Sequence, residues 1–208
     1  MKDLLTFKDF LEWIPAITFP LSHVFQIHKI FMNETIEGVS FWTFYGWFLG
    51  NFGAYLFTDK LTDIKTILAF LVTGLLEIVI CIILQHGNKL YQTLILLSTL
   101  AISAGVYYLA KYKKKYLDKI SSIAGYFPAI LFPLMPLLQA WTLLTSKSAK
   151  GVSIPQWILQ IFGNIGAYIL TGHSGNIKAI SAYIVSAIID VIVIIITIYK
   201  NKVFDKLI

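Results

Sequence analysis

The 208-residue chain contains no arginine and only one cysteine, Cys81. Without arginine it lacks the planar fork that most often reads bases and phosphates, so a net charge of +6 carried by lysine argues against a nucleic-acid partner. The lysines are spread over loops and tails with one cluster from Lys111 to Lys119, a distribution that suits anionic lipid headgroups. A single cysteine excludes an internal disulfide, and Cys81 lies inside an apolar run, as a small buried residue would. The four histidines, His23, His28, His86 and His173, do not have metal-ligand spacing, and there is neither a glycine-rich phosphate loop nor a nucleophile elbow. We therefore expect no enzymatic activity, no cofactor and no bound metal. Charge of either sign is scarce as well: 13% of residues are charged against 57% hydrophobic, which places the chain outside the range of ordinary soluble domains.

What the sequence does have is apolar runs near 10–31, 40–58, 65–85, 90–110, 121–144, 153–171 and 177–198. Each is about 20 residues, enough to cross roughly 30 Å of hydrocarbon as a helix. The reading is an all-α integral membrane protein of seven transmembrane helices, expected in the cell membrane of a bacterium. The first run carries Pro15, Pro20, His23 and Gln26, unlike a signal peptide, and should be retained.

The stretch from Trp13 to Ile83, shifted by 113 positions, falls without a gap on Tyr126 to Ile196. Pro15-Ala16-Ile17 meets Pro128-Ala129-Ile130, Phe19-Pro20-Leu21 meets Phe132-Pro133-Leu134, and Gln26 meets Gln139. Gly38-Val39-Ser40 meets Gly151-Val152-Ser153, the Gly50-Asn51 stretch meets Gly163-Asn164, and Glu77 meets Asp190. One offset kept through so many matches marks an internal duplication. The run at 90–110 has no counterpart, for a topological reason: a three-span unit ends on the opposite side from its start, and one extra crossing lets the second copy insert the same way up. The expected organisation is a first three-helix repeat at 10–85, a linker helix at 90–110 and a second, parallel three-helix repeat at 121–198.

Within the copies, Pro15 and Pro20, and then Pro128, Pro133 and Pro136, remove backbone hydrogen bonds and are candidate hinges. Small and polar residues recur every three or four positions through Ser40, Thr43, Trp47, Gly50 with Asn51, Ala54 and Thr58, and again through Ser153, Gln156 with Trp157, Gln160, Gly163 with Asn164, Ala167 and Thr171. That spacing makes one helix stripe. Small residues permit close packing, but an amide in hydrocarbon is costly unless paired, so Asn51 and Asn164 are expected to face a central cavity. Trp47 and Trp157 lie along the same stripes and could form its walls. Glu77 and Asp190 sit mid-span, where an aspartate costs roughly 2.5 to 3.5 kcal/mol. With no lysine at that depth, a proton, a cationic solute or a bound ion is the expected counterpart, and His23 could shuttle a proton or simply pack.

The duplicated unit resembles the PQ-loop module, shared by SWEET and SemiSWEET sugar transporters and by the lysosomal cystine and cationic amino-acid exporters. The resemblance covers nearly the whole chain except the fourth span and the tails. It is carried by a glutamine near the end of a proline-bearing first helix, a short polar loop and Gly-Val-Ser opening the second helix: Gln26 to Gly38 and Gln139 to Gly151, each 12 positions apart. Phe25 and Leu138 stand where the family has a proline before that glutamine, and Ala54 and Ala167 occupy the tryptophan position of the sugar carriers. The stretch Ser186 to Val191 is similar to the last span of cystinosin-type exporters, whose aspartate contributes to proton coupling; Asp190 matches it and Glu77 is its repeat partner. A second acid of that branch falls on Gln160.

The resemblance implies a secondary transporter that moves a small polar metabolite by alternating access. Asn51, Asn164, Trp47, Trp157 and Gln160 would bind the solute, and Glu77, Asp190 and His23 would handle a proton or cation. Gln26 and Gln139, with Pro15, Pro20, Pro128, Pro133 and Pro136, would gate. The acids favour an amino-acid or amine substrate with proton coupling. A passive sugar carrier, a vitamin or nucleoside carrier, and a receptor sharing the fold of the KDEL receptors are the alternatives. The last would need an intramembrane cation for a peptide carboxylate, and the spans contain no central lysine or arginine.

Overall fold

The computed structural model describes residues 2–58, 60–112, 117–173 and 175–205; Lys113, Lys114 and Lys115 of the basic cluster lie outside the described residues. All regular structure among the described residues is helical. Helix α1 is Lys2–Asn33 and α2 is Phe41–Phe57. Helix α3 runs through Ile64–Thr66, a wider π-helical stretch Ile67–Val72, and Thr73–Leu84. Helix α4 is Lys89–Tyr112; α5 is Leu117–Ala124 and, after Gly125, Tyr126–Thr145; α6 is Ile154–Leu170. Helix α7 repeats the build of α3 through Ile177–Ala179, the π-helical Ile180–Val185 and Ser186–Asp205.

Among the described residues, four stretches are long and apolar enough to cross a membrane: Ile64–Leu84, Lys89–Tyr112, Lys119–Thr145 and Ile177–Lys202, which belong to α3, α4, α5 and α7. The other three apolar runs differ from these for physical reasons. Helices α2 and α6 have 17 residues each, about 25 Å at the usual rise; α2 is largely buried by neighbouring helices, whereas α6 keeps an exposed apolar face of Ile158, Phe162 and Ile165. Helix α1 is long but is interrupted by His23, Gln26, His28 and Lys29.

The duplication is carried into local structure. Ser40 and Ser153 cap α2 and α6 by accepting from the backbone N–H of Thr43 and Gln156. Asp63 and Asn176 cap α3 and α7 in the same way, each accepting at 2.9 Å from the N–H of Lys65 or Lys178. Both π-helical stretches fall at equivalent positions, ending directly before Thr73 or Ser186. Such wide turns are rare and recur at functional sites.

The two copies are interleaved. Helix α1 packs along α6 and α2 along α5, so the first helix of each copy lies on the second helix of the other. Glycine makes the approach possible. A Cβ on Gly163 would come within 2.3 Å of the Phe19 ring, and one on Gly50 within 2.5 Å of Phe132. Gly166 and Gly53 press on Pro15 Cδ and Phe127 Cβ, each at 2.5 Å from where a Cβ would be. The small residues of the stripe are therefore packing surface. Helix α4 has no counterpart and buries only Ile95 and Thr99.

Candidate proton and solute site

The loops that open α2 and α6 are held crosswise. Gln26 on α1 donates from Nε2 to the Gly151 carbonyl at 2.7 Å and accepts from the Ser153 N–H at 3.0 Å. Gln139 on α5 donates to the Gly38 carbonyl and accepts from the Ser40 N–H, the latter at 3.0 Å. Each glutamine thus uses both ends of its amide on the Gly-Val-Ser segment of the other copy. At the same end, Gly151 N–H donates to the Glu37 carbonyl at 3.1 Å and Ser148 donates to Glu37 Oε2 at 2.6 Å. At the opposite end, His173 Nε2 lies 2.8 Å from the Phe57 carbonyl oxygen and its ring stacks on Phe57 at 4.2 Å. A network of Asp9 and Glu12 with Lys60 and Lys65 ties α1 to α3 there.

In the first copy the intramembrane acid is fully buried and fully engaged. Asn51 on α2 donates from Nδ2 to both carboxylate oxygens of Glu77, at 2.8 and 2.9 Å. His23 on α1 places Nε2 3.2 Å from Glu77 Oε1, both side chains being 0% exposed. His23 Nδ1 lies 2.8 Å from the Phe19 carbonyl oxygen. A carbonyl only accepts, so Nδ1 carries a hydrogen, and Nε2 is the ring nitrogen that can gain or lose one. At 3.2 Å the pair can carry a single proton on one partner or the other, as imidazolium with carboxylate or as imidazole with carboxylic acid, although Nε2 is not aligned for a hydrogen bond to Oε1. The counterpart expected as a proton, solute or ion is in this copy a histidine 54 positions away.

In the second copy Asn164 on α6 donates to Asp190 Oδ2 at 2.9 Å, as Asn51 does to Glu77. Asp190 Oδ1 is buried and has no hydrogen-bond partner among the described residues. The position equivalent to His23 is Pro136. Asn51 and Asn164, expected to face a cavity, are each bonded instead to the acid of their own copy.

The prolines of α5 are tied to α7. Pro133 leaves the Ala129 carbonyl without its helical donor, and Ser181 supplies one at 2.7 Å. Pro136 leaves the Phe132 carbonyl free in the same way, and Ser186 donates to it at 3.0 Å. Pro128 stands in the first turn of that segment, where a missing N–H costs nothing. Pro15 and Pro20 lie inside α1.

Between the copies, Trp47 and Trp157 meet with ring centroids 5.2 Å apart, and each is 1% exposed. The edge of the His23 ring approaches Trp47 and Phe44, both at 5.9 Å. Ser22 Oγ is within reach of the Phe19 carbonyl at 2.7 Å, of Gln160 Oε1 at 3.1 Å and of His23 Nδ1 at 3.0 Å, and its single hydrogen serves one acceptor at a time. Ser22 therefore links the His23 environment to Gln160 in the other copy. Trp47, Trp157, Gln160 and His23 are brought together in this closed centre. Glu77 with Asn51 adjoins it through His23, while Asp190 and Asn164 form a separate pair on α7 and α6.

Ser22 does not stand out in the repeat, since Met135 occupies its equivalent position, and its placement beside His23 is the available signal. Gln156, on the polar stripe of the second copy, is completely buried, and neither its Nε2 nor its Oε1 has a partner among the described residues; Trp157 Nε1 is likewise unpartnered. Comparison with family models, with curated proteins and with solved structures finds no match to this chain.

Proposed function

We propose that the chain is a secondary transporter that moves a small polar metabolite, of the amino-acid or amine class, coupled to a proton. In this reading all seven helices cross the membrane, as two parallel three-helix units joined by α4, with α2 and α6 as short helices, the latter turning Ile158, Phe162 and Ile165 to lipid. The observation that carries the reading is the buried His23–Glu77 pair. A titratable pair inside a bundle, away from water, is expensive to maintain and is typical of proton pathways.

The roles divide between the copies. His23 and Glu77 take up and release the proton, and Asn51 holds the carboxylate in place in either state. The other groups around the pair, Ser22, Gln160 and the buried Cys81 one turn beyond Glu77, bring no second charge. Asp190, held by Asn164 one turn along α6 from Gln160, has one oxygen free for the cationic group of a solute that would extend into the adjoining centre, with Gln156, Gln160 and the indoles of Trp47 and Trp157 supplying hydrogen bonds and walls. Ser22 couples the two, because its hydroxyl chooses between the Phe19 carbonyl beside His23 and the Gln160 amide. Alternating access requires one end to open, and the crosswise bonds of Gln26 and Gln139 are the ones that must break. The bends of α5, secured by Ser181 and Ser186, let α5 and α7 move together.

The test is solute-driven proton movement in proteoliposomes loaded with a pH-sensitive dye, challenged with amino acids, amines, sugars and nucleosides. The reading predicts a signal for one class of amino acid or amine, lost in Glu77→Gln. Transport that is independent of pH and survives Glu77→Gln combined with Asp190→Asn would refute proton coupling. A sugar carried without proton movement would replace the reading by a passive carrier.

A further inference from the structure

The ends of α1 and α7 and the start of α6 enclose a cavity of about 230 Å³, at the end of the bundle where Gln26 holds the loop of the second copy. Phe25, His28 and Lys29 line it from one face of α1, Ser153 and Pro155 from α6 and its cap, and Asn201 from α7. The polar groups in this lining are unspent. Neither the His28 nor the Lys29 side chain has a hydrogen-bond or ion-pair partner among the described residues. Ser153 is buried, and its oxygen accepts from the Gln156 N–H, which leaves its hydroxyl hydrogen to give. Asn201 Oδ1 is buried and has no partner among the described residues. The first copy lacks this set. At the same offset Trp141 and Thr142 stand for His28 and Lys29, and Asn88, the equivalent of Asn201, accepts from the Tyr91 N–H at 3.2 Å. There the chain turns into α4, whereas α7 runs on past Asn201 and leaves the oxygen to another donor.

An ammonium, an imidazole and a serine hydroxyl around one space suit an anion, and a buried acceptor beside them calls for a donor on the same ligand. The surroundings indicate its source. Exposed apolar side chains run along α1 at Ile17, Leu21 and Phe25 and along α6 at Pro155, Ile158 and Phe162, and the two stripes reach the cavity at Phe25 and Pro155. Apolar surface that ends on a polar pocket matches the passage from acyl chains to headgroups at the edge of a bilayer. The cavity has room for a phosphate with a short polar arm, and acyl chains would stay outside it along α1 and α6. We propose that it is a binding site for a phospholipid whose headgroup carries a hydrogen-bond donor, phosphatidylethanolamine or phosphatidylglycerol. The phosphate lies against Lys29, His28 and Ser153, and the ammonium or hydroxyl meets Asn201 Oδ1. A headgroup seated there ties the end of α7 to the segment that Gln26 latches.

The test uses the full chain, purified in mild detergent, stripped of lipid and offered equal phosphatidylethanolamine and phosphatidylcholine with identical acyl chains, then weighed by native mass spectrometry. The two headgroups have the same net charge, and only the first can donate a hydrogen bond. One phosphatidylethanolamine per chain is expected, retained over phosphatidylcholine by roughly threefold or more for one hydrogen bond, and phosphatidylglycerol should share the advantage. Asn201→Leu should keep a lipid but lose that preference, and His28→Gln with Lys29→Gln should lower retention of both lipids several-fold, because the phosphate is common to them. His28 is exposed and Lys29 and Asn201 are half-buried, so these variants should remain monodisperse; if Asn201→Leu is not, Asn201→Ala gives the same readout. Glycerol 3-phosphate in excess tests a soluble phosphate as the ligand and should leave the lipid in place. Equal retention of the two lipids by the wild type, an unchanged preference in the Asn201 variant, unchanged retention in the double variant, or displacement of lipid by glycerol 3-phosphate would each overturn the proposal.

Discussion

The two copies hold an asparagine–acid pair on the same helices and surround it differently. In the first, Glu77 accepts two bonds from Asn51 and lies 3.2 Å from His23 Nε2. In the second, Asp190 accepts one bond from Asn164 and keeps Oδ1 unpartnered among the described residues. One position accounts for much of this: 23 is histidine and its equivalent, 136, is proline. The same exchange alters the backbone. The Phe19 carbonyl receives His23 Nδ1–H, whereas the Phe132 carbonyl, deprived of its helical donor by Pro136, receives the Ser186 hydroxyl. A duplicated scaffold has kept its packing and capping while the chemistry of its two acids has diverged.

That comparison can be broken most sharply at His23. Replacing it by alanine leaves Glu77 buried beside an amide alone, and removing one partner of a buried pair costs about 3 to 5 kcal/mol. His23→Ala should lower stability in chemical or thermal unfolding by that order. Glu77→Gln in the same background should recover much of the loss, and no recovery would mean that the two side chains do not interact. The next effect is one of sameness. Gln26→Ala and Gln139→Ala each leave a buried loop carbonyl and N–H unpaired, at about 1 to 3 kcal/mol, and should destabilise to similar extents. A wide gap between them would show that the latches are not equivalent.

A smaller difference is expected at Thr73 and Ser186. Ser186→Ala unpairs the carbonyl freed by Pro136, an interhelical bond of about 0.6 kcal/mol by the average for membrane helices. Thr73 donates at 3.3 Å to the Leu68 carbonyl within its own helix. Thr73→Ala should therefore cost less, and the order is read from paired unfolding curves. Smallest in stability is Asp190→Asn, nearly the same shape with one oxygen already unpartnered. Its consequence should fall on solute affinity, weakened by tenfold or more in a binding titration.

The helices and the duplication could be read from the chain because both are linear patterns: long apolar runs, and one offset carrying Gln26 to Gln139 and Asn51 to Asn164. Capping at Ser40 and Ser153 is equally local. The partners of the polar residues could not be read so directly. The duplication aligns Gln26 with Gln139, but only packing reveals that each serves the other's loop, more than 120 positions away for Gln26 and about 100 for Gln139. Asn51 was placed on a polar stripe, and the acid that occupies it comes from a neighbouring helix. Spacing alone allows His23 two roles, and its position against α3 gives it Glu77 as a neighbour. The π-helical stretches have no sequence signature that separates them from ordinary apolar helix.

The central claim is that the first copy carries the proton while the second contacts the solute. It is tested most directly by measuring solute-driven proton uptake and solute counterflow in the same proteoliposomes, for Glu77→Gln beside Asp190→Asn. The account predicts that Glu77→Gln abolishes proton movement but retains counterflow, and that Asp190→Asn weakens both together. Proton movement that persists in Glu77→Gln and disappears only in Asp190→Asn would contradict it.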